Sequence, residues 1–320
     1  MKFLTTIIIF FLAFNAKAQY DPAAGKEGSL AISADSNVFI DWANECVLKR
    51  GPMDASDVSK GYSNLGDEKD ALGKPNSEIV TLGDGGMATL SFSYPITNGT
   101  GADFAVFENS FSDTYLELAL VEVSSNGKDF VRFPCISLTD TAQQIGPFGT
   151  LNPTKIQNLA GKHRGMYGTP FDLEVLKDSN AINIDSITHV RIIDVVGSID
   201  PKYGNRDRHG RLINDPWPTD FEAGGFDLDA VGVIHSLNPN SVQEIISVKL
   251  FPNPCNSCHT IRIEGIEQEK ELTLLNLNGQ KVNTSIATSE LEVSGLKPGC
   301  YLLTGTTTKG VVREKLVIYE

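Results

Sequence analysis

Asp103 and the pair Glu108-Asn109 bracket the apolar run Phe104-Ala105-Val106-Phe107, and Asp227 and Asp229 sit two apart in Phe226-Asp227-Leu228-Asp229-Ala230. Residues two apart on a strand point to one face, and acids are almost never fully buried unless paired. Three arrangements would satisfy them: a bound cation, an arginine such as Arg132 or Arg191, or a bulge that turns the carboxylates to water. Oxygen-only side chains suit a hard cation, Ca2+ above all. Asp103, Glu108, Asn109, Asp227 and Asp229 are therefore the candidate metal ligands. The segment Asn205-Arg206-Asp207-Arg208-His209-Gly210 has the beginnings of a calcium loop, but His209 replaces an oxygen ligand and Pro216 stands where the bidentate Glu belongs. A structured turn is the simpler reading there.

Other chemistries lack their residues. A serine hydrolase elbow, Gly-x-Ser-x-Gly, is absent, and the five His are scattered singly, without a His-Glu-x-x-His pair. Gly83-Asp84-Gly85-Gly86 carries an acid at its centre and no Lys, which disqualifies it as a phosphate loop. A carboxylate pair for glycoside hydrolysis stays open, although so many acids make any chosen pair uninformative.

Ligand binding has better material. The stretch from Ser198 to Gly225 contains Tyr203, Trp217, Phe221, three Pro and alternating Arg and Asp. Irregular loops of this length inside a compact domain are usually functional or disordered. Rings beside carboxylates suit sugar recognition, with aromatic faces stacking on pyranoses and acids accepting from hydroxyls. Trp217, held between Pro216 and Pro218, is either such a contact or a buried plug. Tyr167 and His163 lie in a second polar stretch that would face the same cleft.

The elements that position these residues read as β. One helix is expected, Ser36 to Lys49, where Phe39, Trp42 and Cys46 recur at helical spacing behind the caps Asp35/Ser36. After it come short strands around Glu78–Leu82, Met87–Phe92, Phe104–Phe107, Leu116–Val123, Phe130–Phe133, Ile187–Val196 and Ala230–Ile234, separated by Gly/Asn/Asp turns. The absence of βαβ alternation points to an all-β sandwich.

Charge divides the chain. Residues 249–320 hold eight Lys+Arg, eight Glu and no Asp, whereas residues 19–248 hold 17 basic and 32 acidic residues, 22 of them Asp, for a net charge of −15. That balance argues against nucleic acid or an anionic membrane as partner. Five Cys (46, 135, 255, 258, 300) are too sparse for a disulfide framework. Cys255-x-x-Cys258 reads as a local disulfide or as turn thiols, and Cys46 with Cys135 is a further possible pair. Met1-Lys2, the apolar Phe3–Phe14 and Ala16-Lys17-Ala18 before Gln19 read as a secretory signal peptide cut between Ala18 and Gln19. No stretch is apolar for long enough to span a membrane as a helix.

Three resemblances extend this reading. The ordered pieces Leu250-Phe251-Pro252-Asn253-Pro254, Leu275-Asn276-Leu277-Asn278-Gly279, Leu296-Lys297-Pro298-Gly299-Cys300-Tyr301 and Lys315-Leu316-Val317-Ile318 resemble the C-terminal sorting domain of the type IX secretion system of Bacteroidetes. The resemblance implies an immunoglobulin-like sandwich handled by that machinery and a secreted or cell-surface location. Glu122 to Phe130 is similar to the strand–turn–strand of discoidin-like, galactose-binding-like jelly rolls. Segments such as Asp103-Phe104-Ala105-Val106-Phe107-Glu108-Asn109, Tyr167-Gly168-Thr169-Pro170-Phe171-Asp172-Leu173 and Ile213-Asn214-Asp215-Pro216-Trp217-Pro218 resemble a family of bacterial cell-surface proteins. The expected plan is signal peptide 1–18, a jelly-roll-like surface domain 19–237 with one helix, a linker 238–248 and a sorting domain 249–320. The expected role is binding of a carbohydrate or other polar ligand, with a glycan-active hydrolase or a structural adhesin as alternatives.

Overall fold

The computed structural model describes residues 20–237 and 245–319, apart from 257–258, 266–268, 278–279, 283, 288 and 308–309. The expected signal peptide and its cleavage at Ala18/Gln19 lie outside the described residues. The chain divides into two compact units, one ending at Asn238 and one beginning at Pro239. Regular structure among the described residues is strand, with four short 3-10 turns.

The first unit is an all-β sandwich. One sheet contains β1 (Ile32–Ser33), β2 (Asp41–Trp42), β4 (Val80–Thr81), β6 (Phe104–Glu108), β11 (Tyr167–Phe171) and β13 (Asp227–Val233). The other contains β3 (Glu45–Lys49), β5 (Met87–Ile96), β7 (Ala119–Ser124), β8 (Val131–Arg132) and β12 (Ile187–Asp194). The first runs in the order β1-β11-β6-β13-β2, with β4 also on β13, and the second in the order β3-β5-β12-β7-β8. A small ribbon pairs β9 (Ile136–Ser137) with β10 (Ile156–Gln157).

Every residue of β6, β7 and β13 is buried. Both faces of these strands are covered, which is why apolar residues fill successive positions at Phe104–Phe107 and Ala119–Val121. One face of β6 feeds the core between the sheets, where Phe104, Phe133 and Phe171 pack with centroids 5.0 to 5.9 Å apart. On the opposite face Phe107 meets Phe39 and Trp42 at 5.5 and 5.6 Å. Leu118 and Leu120 face a third cluster, with Leu151, Ile156, Leu159 and Ile213.

The helix expected over Ser36 to Lys49 does not form. The chain instead makes β2 against β13 and β3 against β5, changing sheets at Ala43-Asn44. Phe39 and Trp42 pack on the outer face of one sheet, whereas Cys46 and Leu48 join the inter-sheet core. The apparent helical stripe was thus two separate burial requirements, and non-local pairing outweighs local periodicity. Cys46, Cys135 and Cys300 are free thiols, so Cys46 and Cys135 do not pair. Cys255 is disulfide-bonded.

The second unit has two sheets. One holds β14 (Ile245–Ile246), β16 (Cys255–Asn256), β18 (Glu269–Asn276), β21 (Gly299–Thr307) and β22 (Gly310–Tyr319). The other holds β15 (Lys249–Phe251), β17 (Thr260–Glu264), β19 (Ile286–Ala287) and β20 (Glu290–Glu292). Ile261, Ile263, Leu274, Leu291, Leu303, Val312 and Leu316 form its own core. Asn253 of the Pro-Asn-Pro opening donates from Nδ2 to the Lys315 carbonyl at 2.6 Å and accepts from the Val317 amide at 3.0 Å. One side chain thereby fastens the start of the unit to its last strand.

Candidate functional site

At one end of the sandwich, β6 finishes at Glu108, β12 finishes at Asp194 and β13 begins at Asp227. Leu228 is the register partner of Glu108, and Asp194 that of Ala119, two residues after Glu117. Asp84 sits in the turn before β5, and Asp215 arrives on the long Ser198–Gly225 segment. Six carboxylates therefore gather where five strands end or begin, all of them buried.

Hydrogen bonding separates them into two groups. Asp194 and Asp84 are clamps: Asp194 accepts from the amides of Gly85 at 2.9 Å and Phe226 at 2.7 Å. Asp84 accepts from the Ala55 amide at 2.7 Å and from Trp217 Nε1 at 2.9 Å. The turn around Asp84 is packed so closely on the end of β3 that a Cβ on Gly51 would lie 2.1 Å from the Asp84 carbonyl oxygen. The other four are poorly partnered. Asp227 accepts from Thr81 Oγ1 at 2.5 Å and Asp215 Oδ2 from the Leu118 amide at 2.9 Å. Glu108 Oε2, Glu117 Oε1 and Asp215 Oδ1 have no hydrogen-bond partner.

Burial pushes all six carboxyls above the usual range, most strongly for Glu108, Glu117 and Asp215. Asp194 is raised to about 8 by burial and then by the Asp84 charge, and Asp227 to about 6 by burial. Glu108 is raised further by Asp227 and Asp215, and Glu117 by Asp227, Glu108, Asp215 and Asp194. Among the described residues none of the six forms a salt bridge, and Arg132 and Arg191 both pair with Glu122 instead.

The five candidate metal ligands are not brought together as a set. Asp103 leaves the opposite end of β6 from Glu108 and caps a different junction. It accepts from Gly99 N at 2.7 Å and Leu173 N at 2.7 Å, and it faces His235 Nδ1 at 2.8 Å. The register of β13 slips between Leu228 and Ala230, so the two-residue rule fails for Asp227 and Asp229. Asp229 accepts from the amides of Asn76 and Ser77 at 3.1 and 3.2 Å, whereas Asp227 and Glu108 join the acidic cluster. Asn109 follows Glu108 as a half-buried residue. The Asn205–Gly210 segment is a turn: Asp207 accepts from His209 N and from Arg211, at 2.8 Å to Nε.

Three loops adjoin this end and carry stacked rings. Phe111 lies on Tyr115 at 5.1 Å, Phe148 on Phe221 at 6.0 Å, and Tyr203 on Trp217 at 6.4 Å. The loops are fastened to one another. Tyr115 Oη donates to the Pro147 carbonyl, Leu151 N to Thr114 O, and Trp217 N to Ile145 O at 3.0 Å. Gln144 and Asn214 add a polar hub, with Gln144 Nε2 reaching the carbonyls of Gly197 and Asp215 at 3.1 Å. Phe111 and Phe148 are 84 and 77% exposed, so the surface presented outward is aromatic. Trp217, Tyr203 and Phe221 thus share one loop assembly. Tyr167 and His163 are engaged elsewhere: the Arg164 guanidinium lies over the Tyr167 ring at 4.6 Å, and His163 is buried, with Nε2 3.4 Å from Asp21. Phe111, Tyr115 and Phe148 are the partners that sequence reasoning missed. Their signal was the aromatic pair in Asn109-Ser110-Phe111-Ser112-Asp113-Thr114-Tyr115 and the Gly146-Pro147-Phe148-Gly149 turn.

Residues 249–319 match the secretion system C-terminal sorting domain family. The tail thus carries a type IX sorting signal. Such tails mark proteins that reach the cell surface or exterior, and this chain is exported there through the type IX secretion system. No helix among the described residues is long and apolar enough to cross a membrane. No curated protein matches the chain, so the resemblance of the body to a bacterial surface-protein family has no relative behind it.

Proposed function

We propose that the exported body is a surface-displayed binding module for glycans, which docks sugar rings on the loop assembly of Phe111, Tyr115, Phe148, Phe221, Tyr203 and Trp217. The observation that carries this reading is the three stacked ring pairs on loops tied to one another, with Phe111 and Phe148 largely exposed. Exposed aromatic faces are costly to leave in water and stack well on the apolar faces of pyranoses. Asp113 and Asp220, ion-paired with Arg164 and Lys60, place charged groups on the same loops. A carboxylate-pair hydrolase is the weaker reading, since Glu108 and Glu117 are 2 and 6% exposed and a glycosidic bond must reach both groups.

The test is glycan-array binding by the secreted protein, followed by calorimetry on Phe111→Ala and Phe148→Ala. Both side chains are exposed, so melting temperatures should be unchanged while affinity falls roughly 5–100-fold, the range expected for removal of an aromatic anchor. Unchanged affinity in both variants would remove the ring platform from the account.

A further inference from the structure

Glu108, Glu117, Asp215 and Asp227 are 2, 6, 3 and 8% exposed, and three of them keep a carboxylate oxygen without a hydrogen-bond partner. Strand register and hydrogen bonding bring them together: Leu228, next to Asp227, is the partner of Glu108, and Asp215 Oδ2 accepts from the amide of Leu118, next to Glu117, so that their charges disfavour one another. A carboxylate taken out of water demands either a partner or a proton. The arginines of this region that could serve are committed, Arg132 and Arg191 to Glu122 and Arg164 to Asp113. Lys162 is likewise paired with Asp21.

We propose that Glu108, Glu117, Asp215 and Asp227 form a binding site for a hard divalent cation, with Ca2+ as the fitting ion. All four donors are carboxylate oxygens, the set taken by Ca2+ and not by the thiolate- and imidazole-seeking metals. They arrive from four separate elements: the end of β6, the entry to β7, the start of β13 and the Ser198–Gly225 segment. One ion would therefore lock strand ends and loop together. Among the described residues no three such side chains stand already at ligating spacing. Binding would therefore draw the four carboxylates together by side-chain rotation. This site goes beyond the glycan reading and does not depend on it. The competing state is a set of protonated carboxyls, indifferent to cations.

Tyr115 supplies a local reporter, because it stands two residues before Glu117 at the entry to β7. The full secreted protein, stripped with EDTA, should show Tb3+ emission on excitation near the tyrosine band, displaced by Ca2+. Saturating Ca2+ should raise its melting temperature by about 5–10 °C at a hundredfold excess over Kd. Glu117→Gln and Asp215→Asn each remove one of several mutually repelling charges, so both should fold without metal at least as stably as the parent. Both should lose the Tb3+ signal and the Ca2+ shift. Superimposable melting curves in Ca2+ and EDTA, without sensitised emission, would overturn the proposal. Full retention of both responses in the two variants would also overturn it, by placing the ion elsewhere.

Discussion

The indole N–H of Trp217 donates to Asp84 Oδ2 at 2.9 Å while the ring stacks on Tyr203, so this side chain is anchored by its edge and available by its face. Trp217→Phe keeps a ring but removes a donor from a buried carboxylate. It should destabilise the body by about 1–3 kcal/mol, measured by urea unfolding. The charges make two pH predictions of opposite sign. Asp194, raised from 3.8 to about 8, holds a proton in the folded chain that the unfolded chain releases, so its contribution falls as pH rises from about 4 to about 8. For Asp21, burial alone would raise the carboxyl, but hydrogen bonds with His163 and Lys162 outweigh it and lower it from 3.8 to about 2. That contribution is complete above 3.8 and is lost as pH falls through about 2. Denaturant midpoints measured without cations from pH 2 to 9 should therefore climb on the acid side and decline toward the alkaline side; a steady rise between pH 5 and 8 would contradict the Asp194 assignment. Which acids mattered was only half legible. Glu108 and Asp227 announced themselves as acids inside apolar runs, but Asp103 and Asp229 did so equally and turned out to be satisfied by backbone amides. Their donors, Leu173 on one side and Asn76 and Ser77 on the other, come from loops far away in sequence, which no local pattern reveals.

Strand runs and their turns could be read because each carries its own signal, as at Ser124-Ser125-Asn126-Gly127, where the Asn126 side chain accepts from Lys128 N and Asp129 N at 2.9 Å. The segment from Ser36 to Lys49 could not, since its apolar residues serve opposite sheets. The glycine at the end of β3 shows how tightly the elements bearing the site are joined. Gly51→Ala would set a methyl against the Asp84 carbonyl and the Gly86 amide, both backbone, so neither can rotate away. The expected cost is about 1–3 kcal/mol, in the range of overpacking, read from urea unfolding. The long Ser198–Gly225 stretch was legible as aromatic-rich but not as ordered. Its order comes from cross-loop bonds such as Asn214 Nδ2 to the Asp140 and Gln143 carbonyls at 2.6 and 2.8 Å.

For the molecule as a whole, the tail was the clearest part of the sequence, because its turn residues and strand alternation recur in a fixed order that the structure turns into a separate two-sheet unit. Deleting residues 249–320 should leave the body folded and confined to the periplasm, and fusing those residues to a periplasmic reporter should carry it out. A reporter that stays behind while an established sorting tail exports it would contradict the assignment. The proposed glycan binding rests on the aromatic loops. Hydrogen–deuterium exchange on the secreted protein, with and without a glycan selected from an array, locates the contact most directly. The account predicts protection concentrated in residues 109–117, 144–151 and 198–225. Protection confined to other loops of the body or to the tail unit would contradict it.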